Sequence, residues 1–354
     1  MLLGPAQIDP STASPYRSTA NDKNVTQGNA VNRILLTIAA ALIAAVGLVA
    51  PVQSQEWPQG TIRIIIAFGP GGGTDIVGRI LAQRMQEKLG QSVVVENRPG
   101  AGGILGNDAV ARAAKDGYTL GVMTAGQTIA AVLRKSMPYD QLTAFDSIGQ
   151  IAAAGFVIVA RSDFPADNVK DLIAAAKANP GKLSIAAPGF GATQHMAASL
   201  FSQSAGINVL NVPFRTTPEA VGALLGKQVD VLFDTVPGVL GQIQSGQLKA
   251  IAVTGKDRAP AVPKVPAVIE SGAVPGYDVT TWYGFFGPRG MPPAVIAKLN
   301  STVNEILAES AVRERLIKAG VDVHASTPEA FGRHMADEFA RWNKVREAAG
   351  MPQQ

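Results

Sequence analysis

Between residues 61 and 290, short β-branched runs alternate with segments of helical period, and nearly every run ends in a glycine or proline turn. This alternation constrains the fold more than any other feature. Strand, turn and helix repeated along a chain give mostly parallel strands with helices on both faces of the sheet. The runs fall at 62–68, 92–96, 119–123, 156–160, 183–187, 209–213, 229–233, 248–254 and 282–286. They are apolar throughout rather than alternating, as strands covered on both faces are. Between the first two, Ile76, Ile80, Leu81, Met85 and Leu89 share one helical face. From Pro292 the rhythm stops, and the stretch to Gln354 holds helical patterns and no convincing strand. There Val295, Leu299, Val303 and Ile306 keep one face apolar, and Ser326-Thr327-Pro328-Glu329 has the spacing of a capping box. Phe331, Met335, Phe339 and Trp342 follow at helical spacing and read as core. Thr217, before Pro218, reads as a further helix cap.

The chain has 354 residues, enough for two lobes, and no cysteine. Disulfides, thiolate metal sites, cysteine nucleophiles and a lipidated N-terminal cysteine are thereby excluded. Three histidines do not make a histidine-rich metal centre, so neither metal nor cofactor is expected. A net charge of +4, with no run of basic residues, argues against nucleic acid. Residues 34–50 are uncharged, follow Arg33 and run into a polar break, the three-part layout of an export signal. An uncleaved anchor is the other reading of those 17 residues. The 30 residues before them are polar and long for a signal, so a start near Val31 is expected. Residues 1–54 are thus assigned to an extension and signal peptide, leaving an exported, periplasmic chain.

Two turns carry the most informative chemistry. Phe68-Gly69-Pro70-Gly71-Gly72-Gly73-Thr74-Asp75 joins a strand to a helix, where glycines admit close backbone approach and a helix N-terminus favours an anion. Neither the Walker nor the dinucleotide glycine spacing is present. A plain tight turn, with Thr74 as cap, is the alternative. The second, from Ala187 through Gly189, Gly191, Ala192 and Thr193 to His195, has the same strand-to-helix setting. Together they suggest two jaws closing on a small acid. His195 lies in or beside that pocket or satisfies a backbone group, Arg215 pairs with a carboxylate or is solvated, and Asp234 orients a loop or accepts from a ligand. No Gly-x-Ser-x-Gly elbow, His-Glu-x-x-His motif or paired carboxylates support catalysis.

The segments PGGGTD, VVENRPGAGG and KDGYTL, followed in order by MPYD, GFGATQH, GKQVDVLFD and WYGFFGP, resemble the substrate-binding proteins of tripartite tricarboxylate transporters, the Bug or TctC-like family. The resemblance spans residues 57–350. It implies a two-lobed, Venus-flytrap periplasmic-binding fold of type II, divided as 55–160 and 282–354 for one lobe and 161–281 for the other. It also implies ligand contacts at Phe68, Gly71, Gly72, Thr74 and Asp75, at Gly189, Gly191, Ala192, Thr193 and His195, at Thr124, Ala125 and Gly126, and at Asp234. The family usually has hydroxyl residues where Ala187 and Ala192 stand, and a Tyr-Lys-Gly run where this chain has Phe214-Arg215-Thr216. These departures imply a drier pocket with Arg215 as a stronger anion partner. The expected partners are a small carboxylate and membrane permease subunits, for a monomeric binding protein. Two other readings are a ligand-sensing partner of a sensor kinase and a periplasmic enzyme using His195 with Asp75 or Asp234.

Overall fold

The inner strands are rich in apolar residues because they contribute to two cores at once. In the computed structural model, which describes residues 56–189, 191–348 and Gln353, β1 (Ile62–Ile66) sends Ile62, Ile64 and Ile66 to one core and Ile65 to the opposite one. The proposed leader lies outside the described residues. The remaining strands are β2 (Val93–Asn97), β3 (Thr119–Thr124), β4 (Phe145–Arg161), β5 (Ser184–Pro188), β6 (Leu210–Phe214), β7 (Val231–Thr235), β8 (Leu248–Val253), β9 (Thr280–Pro288) and β10 (Asp322–Val323). The helices are α1 (Gly73–Leu89), α2 (Ile104–Ala111), α3 (Ala125–Leu133), α4 (Val169–Ala178), α5 (Thr193–Ser204), α6 (Thr217–Leu225), α7 (Val236–Gln244), α8 (Pro293–Ala308), α9 (Ser310–Lys318) and α10 (Pro328–Ala348).

The strand order is β2-β1-β3-β9-β4-β7-β5-β6, with β8 and β10 also on β4. Pairing is parallel where βαβ units build the flanks (β2-β1-β3 and β7-β5-β6) and antiparallel around β4 and β9. β4 is the link between two half-sheets. Its residues 145–155 pair with β9, and 156–161 pair with β7 and β8. The first half-sheet is covered by α1, α8 and α9 on one face, and by α2, α3 and the first turns of α10 on the other. The second packs α4 and α5 on one face, α6 and α7 on the other. In β4 the alternation is complete: Phe156, Ile158 and Ala160 enter one core, Val157 and Val159 the other. The chain crosses back between β8 and β9, where Thr254 pins both crossings. Its Oγ1 accepts from Phe156 N at 3.0 Å and donates to Val279 O at 2.6 Å.

Four readings of the sequence are corrected. The run at 156–160 is only the end of a 17-residue strand, whose first part is broken by bulges between Ser147 and Gly149 and between Gln150 and Ala152. The C-terminal stretch does contain a strand, the two-residue β10 on β4. Thr216, not Thr217, caps α6, accepting from Glu219 N at 3.3 Å, because Thr217 already lies in the first helical turn. Of the C-terminal aromatic stripe, Phe331 and Met335 are core while Phe339 and Trp342 are half-buried. Among the described residues no helix is long and apolar enough to cross a membrane.

Candidate functional site

The turn after β1 meets the opposite half-sheet at close quarters, and its glycines are the reason it can. A Cβ on Gly69 would collide with Thr216, one on Gly71 would lie 3.1 Å from Pro218 Cγ, and one on Gly72 would lie 3.4 Å from Thr217 Oγ1. Gly73, first residue of α1, has room for no side chain, because a Cβ there would come within 2.6 Å of Tyr283 Oη and 2.7 Å of Thr235 Oγ1. Gly72 is the N-cap of α1 and offers no side chain to its N–H groups. Thr74 is buried within the first turn and does not cap the helix. Asp75 is committed locally: it accepts from Gly71 N at 3.0 Å, Arg79 Nε at 2.9 Å and Asn97 Nδ2 at 2.9 Å. Burial opposes its charge, but these donors outweigh it and hold the carboxyl below the usual range.

A second apposition joins the N-termini of α3 and α5. A Cβ on Gly126 would lie 2.7 Å from Thr193 Oγ1 and 2.9 Å from Thr193 N. Thr124 caps α3 in a box with Gln127, whose Oε1 takes Thr124 N at 2.7 Å and the Thr124 hydroxyl at 2.8 Å. Ala125 is buried beneath this turn. On the other side Ala192 is the N-cap of α5, its N–H held by Gly189 O at 2.8 Å. Gly189 and Gly191 both have positive φ, 74° and 77°, which the reversal into α5 requires. His195 is half-buried in the first turn of α5, and burial lowers its pKa.

Beneath α1 lies a buried polar knot. Asp234 is fully buried at the end of β7, with Oδ1 accepting from Thr235 N at 2.7 Å. Neither Thr217 nor Gln194 nearby closes a hydrogen bond of good geometry onto its Oδ2. Burial pushes its carboxyl up to about 6, although neighbouring donors pull the other way. Tyr283 is also fully buried, its hydroxyl raised above the usual range by burial and by the nearby Asp234 charge.

Beside these contacts a cavity of about 520 Å³ opens between the half-sheets. Ala67, Phe68 and the turn 99–103 line it from one side; Gly189 and residues 213–215 line it from the other. Of the anticipated residues, Phe68, Gly189 and Arg215 therefore border open space. Gly71, Gly72, Gly126 and Thr193 form the closed contact, while Thr74, Asp75, Thr124, Ala125, Ala192 and Asp234 support it from behind. The turn 99–103 was not among the candidates read from residues. Its signal was the same grammar, a strand followed by Pro99-Gly100-Ala101-Gly102-Gly103 and a helix. Gln127 and Tyr283 carried no such signal, since a lone polar residue in an apolar segment does not reveal what it faces.

Comparison with known proteins follows the same outline. Residues 77–351 match the profile described as "Tripartite tricarboxylate transporter family receptor". BugT of Bordetella pertussis is 35% identical over 318 residues, covering 89% of this chain and 97% of BugT. Among solved structures, the periplasmic binding protein BugD is 37% identical with a TM-score of 0.80, over 84% of this chain and all of BugD. MatC from Rhodopseudomonas palustris, solved with bound malate, is 32% identical with a TM-score of 0.77, over 82% and 99% of the two chains. The two half-sheets joined through β4 and the β8–β9 crossing are thus a periplasmic-binding-protein fold of the two-lobed, Venus-flytrap kind.

Proposed function

This chain belongs to the tripartite tricarboxylate transporter receptor family, and from that premise we propose that it is a periplasmic solute receptor that captures a small carboxylate between its lobes and passes it to a membrane permease. We take each half-sheet with its helices as one lobe, so that the first crossing falls within β4 between residues 155 and 156 rather than after residue 160. One observation carries the reading: two helix-opening turns from one lobe, at Gly69 and Gly126, meet Thr216 and Thr193 of the other with no room for a side chain between them. Such a contact is a clamp. In the open form the same turns present backbone N–H groups and helix N-termini, which favour an anion. Closure then completes the hydrogen bonds from the second lobe. A few charge-assisted bonds of about 1.5–3 kcal/mol each approach the roughly 8 kcal/mol of a micromolar complex. The malate bound to MatC is a ligand of this class.

No chemical step is needed for this task, and both carboxylates that a catalytic reading would pair with His195 are buried. Asp75 is held by Arg79, Asn97 and Gly71, and Asp234 is buried beneath α1. The test is mass spectrometry of ligand released from the purified protein, followed by calorimetry across mono-, di- and tricarboxylates and amino acids. A bound carboxylate, or saturable binding of at least one, is the expected result; binding of none overturns the proposal.

A further inference from the structure

We infer that the cavity bounded by the turn 99–103 and Arg215 receives a monocarboxylate with a bulky apolar body, its carboxylate on the Arg215 guanidinium and its body against Phe68, Phe214 and Pro99. This deepens the receptor reading above and rests on it. The volume, about 520 Å³, falls in the range of roughly 300–1,000 Å³ of small-molecule sites. Its chemistry is lopsided. Among the described residues every lining residue except Arg215 is glycine, alanine, proline or phenylalanine, so one cationic side chain faces otherwise apolar ones.

Arg215 is available for the purpose. Its side chain is exposed, only its backbone N–H is engaged, by Glu219 Oε2 at 3.2 Å, and among the described residues its guanidinium makes no ion pair, whereas those of Arg79, Arg161 and Arg258 do. The facing wall is built in advance. Arg98 N is fixed to Ile66 O at 2.8 Å, Asn97 Nδ2 to Phe68 O at 3.0 Å, and Gly103 N to Gly100 O at 2.9 Å. Within that turn Ala101 has φ 50°, one of two non-glycine residues with positive φ among those described. Strain of this kind persists where the surroundings over-determine it, commonly at ligand sites.

The discrimination follows from what the walls lack. A second carboxylate on the ligand would lie against phenylalanine and proline with no side-chain donor among the described residues to meet it, and burying it so is unfavourable. An apolar ring gains from the same walls by leaving water.

The experiment is calorimetry of the purified protein with benzoate, cyclohexanecarboxylate, malate, adipate and citrate, at low and high salt, repeated on Arg215→Gln and Pro99→Trp. Benzoate or cyclohexanecarboxylate should bind at least about tenfold more tightly than malate or citrate. Arg215→Gln should weaken that binding about ten- to hundredfold, the span for losing one charge-assisted hydrogen bond. Added salt should weaken it in the unmodified protein and much less in the variant, because the arginine is exposed. Pro99→Trp should obstruct ring acids, with an unchanged melting temperature confirming the fold. Malate, adipate or citrate binding as tightly as the ring acids, or ring-acid affinity unchanged in Arg215→Gln, overturns the inference and leaves the receptor reading standing. Binding of none of the five overturns the inference, while the wider acid panel and released-ligand analysis still judge the receptor reading.

Discussion

At the scale of single residues, Asp234 is the carboxylate among the described residues whose environment most opposes its charge. Its carboxyl titrates near 6 in the folded protein, against 3.8 for an unhindered aspartate. The folded state therefore holds the proton more tightly than the unfolded state. Stability is full below pH 3.8, falls as pH rises from there to about 6, and levels off above. The ceiling of the loss is about 3 kcal/mol for a shift of this size. Asp234→Asn, which cannot ionise, should consequently melt higher than the unmodified protein at pH 7.5 by a margin that closes toward pH 4. Parallel melting curves at both pH values would show that Asp234 is not the buried acid described. Asp75, less deeply buried, behaves in the opposite way because three donors surround it. Two carboxylates in one region thus differ through both their depth and their hydrogen bonds.

At the scale of elements, Thr254 joins the two crossings between half-sheets through one hydroxyl. Thr254→Val keeps the shape but strands Phe156 N and Val279 O, both buried, and should cost about 1–3 kcal/mol, read as a lower denaturation midpoint. A midpoint unchanged within error would mean that the crossings do not depend on this side chain. The crossing itself was the least legible part of the fold. Strands such as β1 and β7 announced themselves because both faces are covered by helices and β-branched or aromatic apolar residues fill most of their positions. The first part of β4 was hidden, since Asp146, Ser147 and Gln150 interrupt its apolar content and two bulges break its period. β10 is too short to have a period at all. The site divided in the same way: glycine turns between strand and helix were visible as backbone chemistry, whereas the facing of Gly126 and Thr193, or of Gly73 and Tyr283, is a property of tertiary arrangement that local spacing does not encode.

At the scale of the whole molecule, capture by closure requires that the lobes separate for ligand to enter. A Cβ on Gly69 would lie 3.2 Å from Thr216 Cβ, close to the roughly 3.5–4.5 Å of a disulfide. Gly69→Cys combined with Thr216→Cys places the only two thiols in a chain that has no cysteine of its own, so no competing pairing exists. The oxidised double variant should neither take up nor release ligand, and reductant should restore exchange. Equal exchange rates before and after reduction would show that ligand reaches its site without the lobes parting.

The route of β4 also has a consequence for the order in which the protein is completed as it is made. The second half-sheet draws its cores from residues 156–279 alone, an uninterrupted stretch of chain. The first needs β9, α8 and Phe331, which come only after that stretch. The lobe that begins first therefore finishes last, and the nascent chain must keep Ile62, Ile64 and Leu120 from premature association until its final segments arrive.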